Sequence, residues 1–145
     1  MSKIIKFMIK AITYILSVNI LLLVACSTAK VPPEQELYFK ELINKEYSNV
    51  FDKSEMNTVW QRAKDFWKPY LPVERVSINK FKTYKSVKTE ITYIIHRIPL
   101  ADGKYRVKIT AKLSNPLMTD IAERNTAIFN EYINTGNLKY PKLIL

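Results

Sequence analysis

The clearest pattern in the chain is the strict alternation over residues 104–113. Tyr105, Val107, Ile109, Ala111 and Leu113 fall on one side, and Lys104, Arg106, Lys108, Thr110 and Lys112 on the other. Successive side chains of a strand point to opposite faces, so this spacing predicts one buried face and one basic face in water. Residues 87–98 show a looser version. Val87, Thr89, Ile91, Tyr93 and Ile95 share one side; Lys88, Glu90, Thr92, Ile94 and His96 share the other. A further strand is expected over 73–81, with Val76 and Ile78 on one face, followed by a Lys-rich connection over 81–86.

The turn joining the two alternating segments can be read from register. A two-residue Asp102-Gly103 loop would set the apolar face of one strand against the charged face of the other. A three-residue loop, Ala101-Asp102-Gly103, pairs Leu100 with Lys104. Ile95 then faces Ile109 and Tyr93 faces Ala111, so the apolar sets coincide. The expected form is a type I turn plus bulge, with Gly103 in the left-handed conformation.

Three segments carry the three- and four-residue spacing of helices. Over 54–70, Met56, Val59, Trp60, Ala63, Trp67 and Tyr70 form a stripe, with Ser54 as the expected N-cap and Pro69 and Pro72 closing the segment. Over 34–47 the stripe is narrower: Leu37, Tyr38, Leu42 and Ile43, with Glu34 and Glu36 in the first turn, where they suit the helix dipole. Asn115-Pro116 breaks the preceding strand. A last helix is expected from Thr119 to about Asn134, with Ile121, Ala122, Ile128, Phe129, Tyr132 and Ile133 as its apolar face and Gly136 as its C-cap. The tail 138–145 is apolar enough to pack as an extended segment or short edge strand. The expected fold is α+β: two N-terminal helices, an antiparallel sheet of at least three strands, and a C-terminal helix packed on one sheet face.

Charge adds an uneven distribution. The formal net charge is +10. Between Arg75 and Lys112 there are ten basic residues against only Glu90 and Asp102. Lys88, Arg106, Lys108 and Lys112 should therefore stand together on the outward sheet face, as candidate residues for binding an anionic partner. Lys far outnumbers Arg across the chain, and a solvated face in a Lys-rich composition is the competing explanation.

The N-terminus supplies an address. Lys3, Lys6 and Lys10 precede an apolar run from Ala11 to about Leu23, which ends in Leu23-Val24-Ala25-Cys26. The run is shorter than the ~20 residues needed to span a bilayer core, and Asn19 interrupts it. Charged n-region, apolar h-region and small residues before a cut are the parts of an export signal. The four residues ending at Cys26 resemble the lipobox of bacterial lipoproteins. The resemblance implies a signal peptide over 1–25, cleaved before Cys26, and a diacylglyceryl thioether and further acyl chain such as palmitate on Cys26. It further implies a membrane-held protein of the bacterial envelope. Ser27 in second position is not the Asp that retains such proteins at the inner membrane of enteric bacteria. A Gram-negative source would therefore place it on the outer membrane, facing the periplasm. Residues 26–33 then form the lipidated tether and 34–145 a single domain. Two or more acyl chains hold a protein stably where one does so marginally.

Catalytic chemistry finds little support. Cys26 is the one cysteine and His96 the one histidine. A metal centre needs several ligands at suitable spacing, and a nucleophilic triad needs a strained nucleophile turn. No glycine-rich phosphate loop is present. The pairs Glu34/Glu36 and Asp52/Glu55 read as helix-start residues. Trp60 and Trp67 share a helix face and could grip a sugar, but their continuity with Met56 and Val59 favours the core. The expectation is a non-catalytic lipoprotein without cofactor. It would scaffold or bind an anionic envelope component or acidic protein; nucleic acid is set aside because the chain is exported. The alternative is a binder of a small or polymeric envelope ligand in a cleft between sheet and helices.

Overall fold

A computed structural model describes residues 31–140 and 143–145. Its elements, in chain order, are α1 (Pro33–Asn44), β1 (Val50–Asp52), α2 (Lys53–Trp67), β2 (Val73–Ser77), β3 (Lys80–Thr83), β4 (Ile91–Pro99), β5 (Lys104–Leu113) and α3 (Thr119–Thr135). The five strands form one antiparallel sheet in the order β1-β5-β4-β3-β2. This is the α+β arrangement that the spacing of apolar residues predicts, with two more strands than its minimum.

The hairpin register is the one that buried pairing demands. Ile95 stands opposite Ile109, Tyr93 opposite Ala111 and Pro99 opposite Tyr105. The Leu100 N–H donates to the Lys104 carbonyl at 2.8 Å, so the loop contains the expected three residues. Its backbone differs: Asp102 (φ 60°) and Gly103 (φ 71°) are both left-handed, not Gly103 alone. Asp tolerates this conformation better than most residues because its short side chain can hydrogen-bond locally.

Two boundaries move. The segment 73–81 is not one strand. Ile78-Asn79 turns it back as β3, with a bulge between Arg75 and Ser77. The Ser77 hydroxyl accepts from the Asn79 N–H at 3.3 Å. Val76 and Ile78 are consequently exposed. Residues 87–89 form a turn ahead of β4, with Glu90 left-handed (φ 57°), and Val87 at its tip is 96% exposed. The Ser86 hydroxyl and carbonyl accept from the Thr89 and Glu90 N–H groups, and this local bonding displaces the strand pattern.

The helices begin and end on local chemistry. α1 starts with Pro33, whose missing N–H costs nothing in a first turn. It buries Phe39 and Leu42 and leaves Leu37 and Ile43 exposed, so its inward face is rotated from the expected stripe. The N-cap of α2 is Asp52, not Ser54; the Asp52 N–H donates to the Glu55 carboxylate at 3.4 Å. α3 ends at Gly136 (φ 77°), whose N–H donates to the Tyr132 carbonyl. The Arg62 guanidinium donates to the Ile133 carbonyl at 3.0 Å, placing a cation at the negative end of the helix.

The core lies between the sheet and α2 and α3. Trp67 stacks on Tyr93 at 4.4 Å between centroids and on Phe129 at 5.9 Å; Trp60 meets Phe81 edge-on at 5.0 Å. Both tryptophans are buried, as the Met-Val continuity of their stripe indicates. Asn125, wholly buried on α3, is a polar hub. Its amide donates to the Tyr93 hydroxyl (2.8 Å) and the Ile144 carbonyl (2.7 Å), and its oxygen accepts from the Ile144 N–H. Residues 143–145 of the tail are therefore held against α3, with Leu143 buried.

Candidate functional site

Side-chain parity on β4 and β5 separates two faces. Tyr93 stacks against Trp67 of α2, so odd positions of both strands face the helices. Arg106, Lys108 and Lys112 are exposed on the opposite face, where no helix packs. None of the three makes an ion pair among the described residues.

Strand pairing extends this face further than the chain order suggests. His96 lies opposite Lys108 on one side and Lys80 on the other. Directly opposite residues have Cβ atoms about 4.5–5.5 Å apart, so Lys80, His96 and Lys108 form one row across three strands. Arg106 sits one row away, opposite Ile98 and Val50, and Lys112 at the far end opposite Thr92. Arg106 and the row stand within a Debye length of roughly 8–10 Å of one another and act as one field, while Lys112, four residues or about 13 Å along β5 from Lys108, stands beyond it. Lys82 is matched by Glu74 at 3.1 Å, and Asp52 stands opposite Lys104 at the end of β1. Ile94, Ile98 and Val50 put aliphatic surface between the charges.

The electrostatic environment registers on His96. Its imidazole is held below the ordinary value of 6.5, first by partial burial and then by Lys80 and Lys108. It is therefore neutral at pH 7 and takes a proton less readily than a free histidine.

Lys88 does not join the row. It lies in the turn before β4, not on the strand, because Ser86 bonds the local backbone. Glu90 likewise leaves the face and pairs with Lys85 at 3.0 Å. Lys80 and His96 are the members of the row that spacing along the chain does not bring together. Their juxtaposition depends on the Ile78-Asn79 turn, which sends 80–83 back along the sheet.

Among the described residues, no group of three or more His, Cys, Asp or Glu is placed to hold a metal ion, and no helix is long and apolar enough to cross a membrane. Cys26, the expected signal over 1–25 and most of the expected tether over 26–33 lie outside the described residues. Comparison of the chain with family models, curated proteins and solved structures finds no match.

Proposed function

We propose that this chain is a non-catalytic, lipid-anchored protein of the bacterial envelope that lays its open sheet face on an anionic, phosphate-bearing lipid surface. The observation that carries the reading is the uncompensated row Lys80–His96–Lys108, flanked by Arg106 and Lys112. Lys80 and Lys108 flank the neutral His96, and Arg106 follows Lys108 on the same face of β5, so gathering these like charges adds nothing to folding. Their cost is offset when an anion meets them. The aliphatic side chains between them suit a surface whose headgroups give way to hydrocarbon.

The anchor brings the surface close. With Cys26 lipidated, the seven residues 27–33 reach at most roughly 23–25 Å, and the Pro32-Pro33 pair stiffens their end. Each basic residue near an anionic bilayer contributes about 1 kcal/mol, so a handful adds usefully to a lipid anchor.

Two experiments test the reading. Cys26→Ser is expected to leave an uncut precursor that takes up no fatty-acid label; label retained on the variant would remove the anchor from the proposal. Co-sedimentation with phosphatidylglycerol vesicles, at low and physiological salt, tests the face. Replacing Arg106, Lys108 and Lys112 by Gln should abolish most of the salt-sensitive binding. Equal binding by parent and variant would return the face to plain solvation. Binding that survives on an acidic protein but not on vesicles would move the partner from lipid to protein.

A further inference from the structure

A second basic feature lies on the helix side of the sheet. Between α2 and the β2–β3 hairpin is a cleft of about 470 Å3. Trp60 and Phe81, both buried, and Val73 give it an apolar wall. Lys64 and Lys68 reach it from α2, Arg75 from β2 and Arg97 from β4, and Lys80 of the open-face row borders it from β3. Every charged residue lining it is a cation.

Arg97 is the fixed member. Its Nε donates to the Asn79 side-chain oxygen at 2.9 Å and a terminal nitrogen faces the Ile78 carbonyl at 3.4 Å. The guanidinium lies 5.4 Å from the Trp60 ring centre and 5.7 Å from that of Tyr105. All four partners are neutral. They hold the group in place without meeting its charge. Lys64 likewise lies over the Trp60 ring, at 5.9 Å, and neither it nor Arg75 makes an ion pair among the described residues. Lys68 is partly spent on Asp65, at 2.6 Å.

Arg97 and Lys64 are half-buried and Arg75 is exposed; like charges gathered beside an apolar wall add nothing to folding unless an anion joins them. The volume is that of a small-molecule site, too small for a polymer strand. A positioned guanidinium matches the geometry of a carboxylate or phosphate, with the lysine supplying a further donor. We propose that this cleft binds a small anionic amphiphile. Arg97, Lys64 and Arg75 hold its phosphate or carboxylate head, and Val73, Phe81 and the edge of Trp60 receive its apolar body. The site borders the open sheet face at Lys80 and does not use Arg106, Lys108 or Lys112.

The test is calorimetric titration of the full chain with four probes: octyl phosphate, octanoate, inorganic phosphate and octanol. The two amphiphilic anions should bind saturably, one per chain, with inorganic phosphate and octanol each at least about tenfold weaker. Inorganic phosphate binding as tightly as octyl phosphate would overturn the apolar half of the proposal. Octanol binding as tightly would overturn the anionic half. Arg97→Gln should weaken octyl phosphate by about tenfold or more. Because Arg97 also braces Asn79, the double variant Lys64→Gln/Arg75→Gln should weaken it comparably with an unchanged melting temperature. Unchanged affinity in that double variant overturns the site. Replacing Arg106, Lys108 and Lys112 by Gln should leave octyl phosphate affinity alone; its loss there would overturn the separation of the two sites.

Discussion

The two faces of the β4–β5 hairpin are made by the same strands and do opposite work. On the helix side, Ile91, Tyr93, Ile95 and Val107 are buried under Trp67, Phe129 and Ile128. Each large apolar side chain removed from water there contributes about 1.5–3 kcal/mol. On the open side, Arg106, Lys108 and Lys112 touch water, and the ion pair Glu74–Lys82 is the exposed kind that is worth about 0–1 kcal/mol. One face therefore determines whether the chain folds. The other is nearly free of that demand, which is the condition under which a surface can be shaped for binding.

The difference is sharpest at Trp67. It is wholly buried and stacked on both the sheet and α3, so Trp67→Ala should cost about 3–5 kcal/mol in urea unfolding. Its indole Nε1 finds no hydrogen-bond partner among the described residues. Trp67→Phe keeps most of the stacking and removes that unmet donor, and should cost less than half as much. A Trp67→Ala variant that melts like the parent would erase the division between the faces.

Asn125 should follow in size. It is polar yet sits on the inner side, and three groups depend on it: the Tyr93 hydroxyl and both backbone groups of Ile144. Burial holds the Tyr93 phenol up at about 12 despite the amide that bonds it. Asn125→Ala leaves these groups unpaired and should cost about 2–3 kcal/mol, with the tail losing amide-exchange protection first. Protection of Leu143 and Ile144 equal to the parent's would show that the tail is held by packing alone.

What can be read from the chain follows the same division. Burial on one side of a strand forces alternation, and alternation fixes register, so the Ile95–Ile109 pairing is legible in the spacing of apolar residues alone. The open face is legible in Arg106, Lys108 and Lys112, which continue the strand's period. His96 is legible too, since the predicted register sets it opposite Lys108, but Lys80 is not. The local marks of a turn at Ile78-Asn79 are weak: neither glycine nor proline is present, only Asn79 and the Ser77 hydroxyl that bonds its N–H, and the Arg97 N–H bonds the Asn79 carbonyl across the sheet. Lys88 departs from its expected place for the converse reason: a local Ser86 bond wins over an apparently sound alternation. A cleft between sheet and helices is an expectation of the sequence, but its lining is hidden, because the cations come from α2, β2, β3 and β4 and converge only in the fold.

His96 gives a smaller effect that links stability to the open face. Its folded pKa lies below the unfolded value near 6.5, so the unfolded chain binds the proton first. Its contribution is fully present above pH 6.5 and is lost as the pH falls through the folded value. Asp65, whose carboxyl Lys68 and Gln61 hold low, loses its contribution only at more acid pH, below its ordinary 3.8. Between about pH 4.5 and 6.5, His96→Gln should therefore flatten the decline in stability. A parent-like slope in the variant would place the titration elsewhere. Anionic vesicles should draw a proton onto the imidazole, so parent binding should strengthen below pH 6.5 more than that of His96→Gln.

The smallest expected change in stability is at the face proposed to matter most for binding. Arg106, Lys108 and Lys112 make no ion pair among the described residues and follow one another along one face of β5, opposite Ile98, the neutral His96 and Thr92. Replacing all three by Gln removes repulsion between strands and loses only the packing of their aliphatic stems. These terms oppose each other, so the unfolding free energy should move by no more than about 0.5 kcal/mol, towards greater stability at low salt. The salt dependence is the sharper readout. In the parent, added salt should screen the repulsion and stabilise the fold slightly; in the triple variant that gain should shrink. A variant destabilised by about 2 kcal/mol or more would mean that these side chains support the sheet after all. The two faces would then share the work of folding, and the argument that the basic row exists for an anionic partner would lose its physical ground.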